Sequence, residues 1–312
     1  MEAADQMITF DEAVPRIMAA ERFSDLGTGG SDAVHAYRKW VKLVHPDTVS
    51  AARRATATQA FAKLSALYHE RGDAHRPTGT LRTRNGVYRI EDTFASGDIA
   101  ELLDTGDTLL KIPRDPADND LMRAEADALL KLRTDGDPRF RAYAPRLVET
   151  FTHEDHDHRR RTVNVIRRQR GMRRLSTTET LEDGVWIWRR LLTALGWAHR
   201  AGVIHGAILE PHVLIHPEHR GLVLVDWCYS GHRPRAIVKA REVAYPPEVL
   251  NDRTATPATD IYMATGLMTR LLGPRMPQRL TEFAAGCVYQ APRMRPQDAW
   301  ALLAELDEII RI

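Results

Sequence analysis

The reading of this chain turns on Gly202-Val203-Ile204-His205-Gly206-Ala207-Ile208-Leu209-Glu210-Pro211-His212-Val213-Leu214-Ile215, followed by Leu222-Val223-Leu224-Val225-Asp226-Trp227-Cys228. Leu191-Leu192-Thr193-Ala194-Leu195-Gly196-Trp197-Ala198-His199 leads into it, and from about Leu181 onward the pattern is mostly helical. Upstream, Val87-Tyr88-Arg89-Ile90, Ile99-Ala100-Glu101-Leu102-Leu103 and Thr108-Leu109-Leu110-Lys111-Ile112 read as strands, with Thr105-Gly106-Asp107 as a turn. A helix covers about Asn119 to Lys131, and Val163-Asn164-Val165-Ile166 is a further strand. Strands first and helices afterwards predict an α+β domain with two lobes rather than alternating βαβ units.

Composition bounds the rest. The chain has 312 residues, formal net charge +2, 43% hydrophobic and 28% charged residues. It is long enough for one large or two modest domains and apolar enough for a core, which excludes a disordered tail, a collagen-like repeat and a disulfide scaffold. Its two cysteines, Cys228 and Cys287, lie far apart, so a reducing compartment is the expectation. Met1 to Asp5 lacks a basic start and no run nears 18 apolar residues, so the expectation is a soluble cytoplasmic protein without a membrane partner.

The clearest break is Arg71-Gly72-Asp73-Ala74-His75-Arg76-Pro77-Thr78-Gly79, polar and rich in helix-ending residues. Upstream, Thr9-Phe10-Asp11-Glu12 has capping-box spacing, opening a helix to about Arg22. Glycines 27, 29 and 30 break it. Ser31-Asp32 can cap a second helix with Val34, Tyr37, Val41 and Val44 on its apolar stripe and Arg38, Lys39 and Lys42 on the other face. Phe61, Leu64, Leu67 and Tyr68 mark a third. Between the second and third stands His45-Pro46-Asp47. Over about residues 8 to 73 this resembles the J-domain (DnaJ-like) family, a helical hairpin. The resemblance implies that Tyr37, Arg38, Lys39, Lys42, His45, Pro46 and Asp47 dock on a DnaK-type chaperone and stimulate its ATP hydrolysis, the cations steering toward an acidic partner. The bland alternative is a solvated basic face beside an ordinary Pro-Asp turn.

Beyond the break, Ala95-Ser96-Gly97-Asp98-Ile99-Ala100, then Leu110-Lys111-Ile112, then Arg123-Ala124-Glu125-Ala126 resemble the protein kinase small lobe: a glycine-rich loop, a phosphate-holding lysine and the helix glutamate that pairs with it. Only Gly97 remains of that loop's three glycines. The opening stretch resembles the family's catalytic loop and metal-binding strand end, with Pro246-Pro247-Glu248, Asp260-Ile261-Tyr262 and Arg295-Pro296 completing the large lobe and Arg295 the expected partner of Glu248. The implied division is a J-domain over 1–75, a linker over 76–86 and a kinase-like domain over 87–312, its small lobe about 87–170 and its large lobe about 171–312.

A fold carries no chemistry without its site groups. Ala207 stands at the base position and cannot accept a proton, Leu209 replaces the loop lysine, and His212 replaces the asparagine that would hold a second magnesium, an ion that prefers oxygen. Gly97, Lys111 and Glu125 remain as a nucleotide-binding set, with Asp226 as a Mg2+ ligand and His212 as a weaker candidate. ATP and Mg2+ are therefore the cofactors to test, against a structural Lys111–Glu125 pair and an Asp226 that merely caps a turn. The expected function is a co-chaperone adaptor whose kinase-like domain, a pseudokinase, binds a client or partner protein. The alternative is an atypical ATP-dependent protein kinase or other transferase. Tyr229, Ser230 and Tyr245 are the only hydroxyl residues between Asp226 and Glu248, and Gly206 leaves no arginine to grip a phosphate, so activation by phosphorylation there is not expected.

His153-Glu154-Asp155-His156-Asp157-His158, followed by Arg159, Arg160 and Arg161, reads as a charged turn between strands rather than a metal site. Arg167, Arg168, Arg170, Arg173 and Arg174 form a basic run at the hinge; without interleaved aromatics it points away from nucleic acid. Trp186, Trp188 and Trp197 read as core.

Overall fold

The structure, a computed structural model, describes residues 8–21, 23–26, 33–45, 49–73, 79–155, 158–176 and 180–310. It divides into two compact units, Met1–Pro77 and Thr78–Ile312. The chain is mixed α and β: a helical N-terminal segment, then a β-sheet region followed by helices. No helix among the described residues is long and apolar enough to cross a membrane.

The N-terminal unit contains α1 (Phe10–Ala19), α2 (Ala33–Val44) and α3 (Arg54–Asp73). The Thr9 amide and hydroxyl both donate to the Glu12 carboxylate, at 2.9 and 3.0 Å, closing the start of α1 and holding that carboxyl below its ordinary value. The helix stops at Ala19 rather than near Arg22, because Ala20 is already extended. Ile17, Val44 and Leu64 are fully buried where the three helices meet, with Phe23 and Trp40 beside them. The expected cap Ser31-Asp32 lies outside the described residues.

In the second unit, β1 (Gly79–Arg82) pairs antiparallel with β2 (Val87–Ile90). This corrects the linker expected over 76–86: Gly79-Thr80-Leu81-Arg82 is strand, closed by Thr83, whose N–H donates to the Gly86 carbonyl at 2.9 Å. Five antiparallel strands follow, β3 (Asp92–Ser96), β4 (Ala100–Asp104), β5 (Thr108–Pro113), β6 (Leu147–Glu154) and β7 (Arg160–Arg167), in the order β3-β4-β5-β7-β6. The helix α4 (Asn119–Asp135) packs on β5, β6 and β7. Three short strands, β8 (Arg173–Arg174), β9 (Val213–His216) and β10 (Gly221–Leu224), form a third sheet in the order β10-β9-β8.

Helices α5 (Leu181–Arg200), α6 (Pro247–Asp252), α7 (Pro257–Leu272), α8 (Gln278–Cys287) and α9 (Ala299–Ile310) make the remainder, with α7 and α9 packed on α5. The apolar stripe of α5, including Trp188, Leu191 and Leu195, is fully buried; Trp197 is in the core as well. Trp186 is only partly buried and donates its indole N–H to the Arg220 carbonyl at 3.1 Å. Of the segment expected as a charged turn, His153 and Glu154 instead end β6, pairing with Arg161 and Arg160 of β7; beyond them Asp155 accepts from the Arg159 amide and pairs with Arg161 at 2.9 Å.

Candidate functional site

Alternation in β5 places Lys111 on the face toward α4, one turn of which carries Glu125. The Lys111 ammonium, 3% exposed, donates to Glu125 Oε1 at 2.8 Å and to Asp226 Oδ1 at 2.6 Å. Burial alone would drive this lysine toward neutrality, but the Asp226 and Glu125 carboxylates hold it well above its ordinary value. Asn164, fully buried on β7, orients Glu125 by donating to its Oε2 at 3.0 Å and to the Met122 carbonyl at 2.8 Å. Asp226 follows β10 in the left-handed region, φ 62°, a conformation aspartate tolerates. Its side chain makes no cap hydrogen bond to the turn after it but reaches back to Lys111. Burial opposes its charge; the Lys111 ammonium, which also donates a hydrogen bond to it, outweighs that and holds its carboxyl well below the usual range.

These groups stand at the bottom of a cleft of about 180 Å³. Phe94, Ala95 and Leu102 from β3 and β4 line one side, Met172 and Leu214 the other, and Arg174 also faces it. Gly97 is not among the lining residues. It sits at the β3–β4 hairpin, where its N–H donates to the Ala100 carbonyl at 2.9 Å.

The segment from His205 to His212 is pinned by its backbone. Asp260, fully buried on α7, accepts from the His205 and Gly206 amides at 2.9 and 2.8 Å and contacts His199 Nε2 at 2.9 Å. His205 Nε2 contacts the Val225 carbonyl at 2.9 Å, tying the segment to the end of β10. Gly206 has φ +75°, and a Cβ there would lie 2.7 Å from the Tyr229 carbonyl oxygen, so glycine is required. Ala207 is fully buried and offers only its backbone; Leu209, 1% exposed, belongs to the core. His212 contacts the Ala207 carbonyl through Nδ1 at 2.8 Å, while its Nε2 is 3.6 Å from Asp226 Oδ2.

At the base of the cleft Lys111 is paired with both Glu125 and Asp226, and the walls above are largely apolar. For magnesium the fit is partial. Asp226 Oδ2 is a suitable hard donor, whereas His212 is not. Farther on, Arg295 makes a bidentate pair with Glu248 at 2.6 and 3.1 Å, and Thr259 adds its hydroxyl to the same carboxylate at 2.9 Å. Tyr229 and Tyr245 are buried, 6% and 3% exposed, and burial raises both phenols, Tyr245 to about 12.

In the N-terminal unit, Tyr37 is partly buried, stacks on Tyr68 at 4.1 Å and shares a hydrogen bond with Ser65 at 3.1 Å, so packing explains its presence. Lys39 and Lys42 are exposed on α2, and Arg38 lies on the same helix. His45 follows α2, its ring edge-on to Phe61 at 5.2 Å. Pro46 and Asp47 lie outside the described residues.

Three of the five arginines of the run from Arg167 to Arg174 are ion-paired, Arg167 and Arg170 sharing Asp107 at 3.2 and 2.9 Å and Arg168 pairing with Asp104. Among known proteins, no family model matches the chain, and neither does any curated protein.

Proposed function

We propose that the chain is a co-chaperone adaptor: a J-domain-like N-terminal unit that stimulates a DnaK-type chaperone ATPase, joined to a two-lobed, kinase-like unit that binds ATP and a client protein without transferring phosphate. The observation that supports it best is the convergence of Lys111, Glu125 and Asp226 in the cleft while the neighbouring Ala207 offers no side-chain base. Lys111 has the charge to hold phosphate oxygens, Glu125 and Asn164 keep it in place, and Asp226 has a carboxylate oxygen free of Lys111 to meet a cation. The bound cation would supply charge neutralisation for the phosphates. Phosphoryl transfer also needs a group to accept or orient the acceptor hydroxyl, and Ala207 lacks one.

Two measurements on the full chain test this reading. ATP is expected to raise the melting temperature of the wild type but not of Lys111→Met, with no label passing from γ-labelled ATP to protein. Stimulation of a DnaK-type ATPase is expected with the wild type and lost in His45→Gln. Label transfer would favour the transferase reading instead, and equal stimulation by His45→Gln would remove the adaptor.

A further inference from the structure

Away from the cleft around Lys111, a second cavity of about 300 Å³ lies where the end of α4 and the segment after it meet the end of α5 and the start of α9. It shares no wall residue with that cleft, and its volume is at the lower end of small-molecule sites. Phe140, Trp197 and Trp300 give it aromatic walls, the Phe140 and Trp300 rings standing 5.2 Å apart at 56°.

The charges around this cavity are unequally committed. Asp135 is held by the Lys131 ammonium at 2.6 Å and the Thr134 hydroxyl at 2.9 Å. Asp137 accepts from the Arg139 amide at 3.0 Å and from its guanidinium at 2.6 Å, so both wall carboxylates and Arg139 already have partners. Arg200 differs. It makes no ion pair or side-chain hydrogen bond among the described residues, and its guanidinium lies over the Trp300 ring, 5.3 Å from the centroid. Contact with an indole face holds a guanidinium in place while leaving its N–H donors for a carboxylate.

Two further donors in the walls lack an acceptor. The indole N–H groups of Trp197 and Trp300 are buried with no hydrogen-bond partner among the described residues. That of Trp197 packs against Gly136 of the cavity wall so closely that a Cβ there would lie 2.6 Å from the nitrogen. A buried donor without an acceptor carries a desolvation cost, so these walls favour a guest that brings acceptor oxygens over one that brings donors.

We propose that this cavity binds a flat aromatic monocarboxylate, its ring against Phe140, Trp197 and Trp300 and its carboxylate on Arg200. One anionic group is the match because one cation is uncommitted, and a ring is the match because the walls are rings, which pair offset or edge-to-face with another. Arg200 repels a cationic aromatic and gains no charge-assisted hydrogen bond from a neutral one. The site goes beyond the co-chaperone reading and does not depend on it.

The test uses the full chain with naphthoate and its uncharged counterpart naphthylmethanol. Calorimetric titration is expected to show one naphthoate per chain, bound about tenfold or more tighter than the alcohol. Arg200→Gln, a change at an exposed side chain, is expected to remove that difference, while Lys111→Met is expected to leave naphthoate affinity unchanged. In wild type labelled with fluorotryptophan, the fluorine NMR signals of Trp197 and Trp300 are expected to shift on saturation, whereas that of Trp227, next to Asp226 of the other cleft, stays. Absence of saturable naphthoate binding, equal affinity for acid and alcohol, or a shift confined to Trp227 overturns the proposal. Loss of naphthoate binding in Lys111→Met overturns it too, because it places the ligand in the Lys111 cleft. The wild-type affinities and spectrum decide the matter even if a variant does not fold.

Discussion

Mild acid should weaken the C-terminal unit through one residue, His205. Its ring is fully buried, with Nε2 against the Val225 carbonyl at 2.9 Å and Nδ1 3.3 Å from the Ala207 amide. Only the neutral ring with its proton on Nε2 satisfies both contacts; a second proton on Nδ1 would face the Ala207 N–H. Burial is the main cause that pushes this imidazole from 6.5 down to about 4, with His212 adding to it and Asp260 opposing. The sign follows from proton counting. Between pH 6.5 and about 4 the unfolded chain binds a proton that the native chain does not, so stability falls as pH falls across that window and the loss levels off below it.

The shift corresponds to a loss of about 2 kcal/mol at pH 5 and about 3 kcal/mol at pH 4 relative to pH 7. Urea unfolding followed by tryptophan fluorescence reads it, since Trp186, Trp188, Trp197, Trp227 and Trp300 all lie in this unit. The experiment is run without nucleotide or metal and compares wild type with His205→Gln, which cannot titrate. Titratable groups remote from His205 contribute equally to both proteins, so the difference between their profiles reports His205 together with its coupling to His212. The wild type should lose about 2 kcal/mol more than the variant between pH 7 and pH 5. Profiles parallel within about 0.5 kcal/mol would refute the assignment of a buried neutral ring.

Glu248→Gln should leave the Arg295 guanidinium, 3% exposed, without its counter-charge, costing about 3–5 kcal/mol and lowering the calorimetric melting temperature by roughly 10 °C. Gly206→Ala should destabilise by at least about 1–3 kcal/mol because it combines positive φ with a clash on the Tyr229 carbonyl. Gly286→Ala, on α8 with open space around the added methyl, should be neutral or stabilising in the same urea assay. Both thiols should resist a disulfide reagent in the native protein and react only on unfolding: Cys228 and Cys287 are 3% and 1% exposed, and burial raises both, Cys287 to about 11.

Much of the cleft was legible because its charged residues interrupt apolar runs. Lys111 sits inside Leu109-Leu110-Lys111-Ile112 and Asp226 ends Leu222-Val223-Leu224-Val225, so each is a polar group that must find a partner when its strand is buried. The same signal was present for Asn164, within Val163-Asn164-Val165-Ile166, and for Asp260. What neither run reveals is the partner, since Asn164 meets Glu125 from another element and Asp260 meets amides at His205 and Gly206. The arginine run from Arg167 to Arg174 looked like an unpaired basic surface for a similar reason: the carboxylates that pair with three of its members, Asp104 and Asp107, belong to β4 and the turn after it. Strands β1, β3 and β6 escaped because they lack clean alternation. β6 carries Glu149, Thr150 and Thr152 and shifts register between Leu147 and Glu149, while β1 is mostly exposed.

Nothing in the geometry of the segment from His205 to His212 depends on the side chain at position 207. Asp260 grips two successive amides, His205 ties the segment to β10, and His212 braces against the backbone carbonyl of Ala207 itself. Each contact uses main-chain atoms or residues other than Ala207. An alanine there removes a proton acceptor while the position of Asp226, and through it of Lys111 and Glu125, stays fixed. Lys111, Glu125 and Asp226 are thus buried or partly buried, paired and mutually oriented without any contribution from the side chain at position 207.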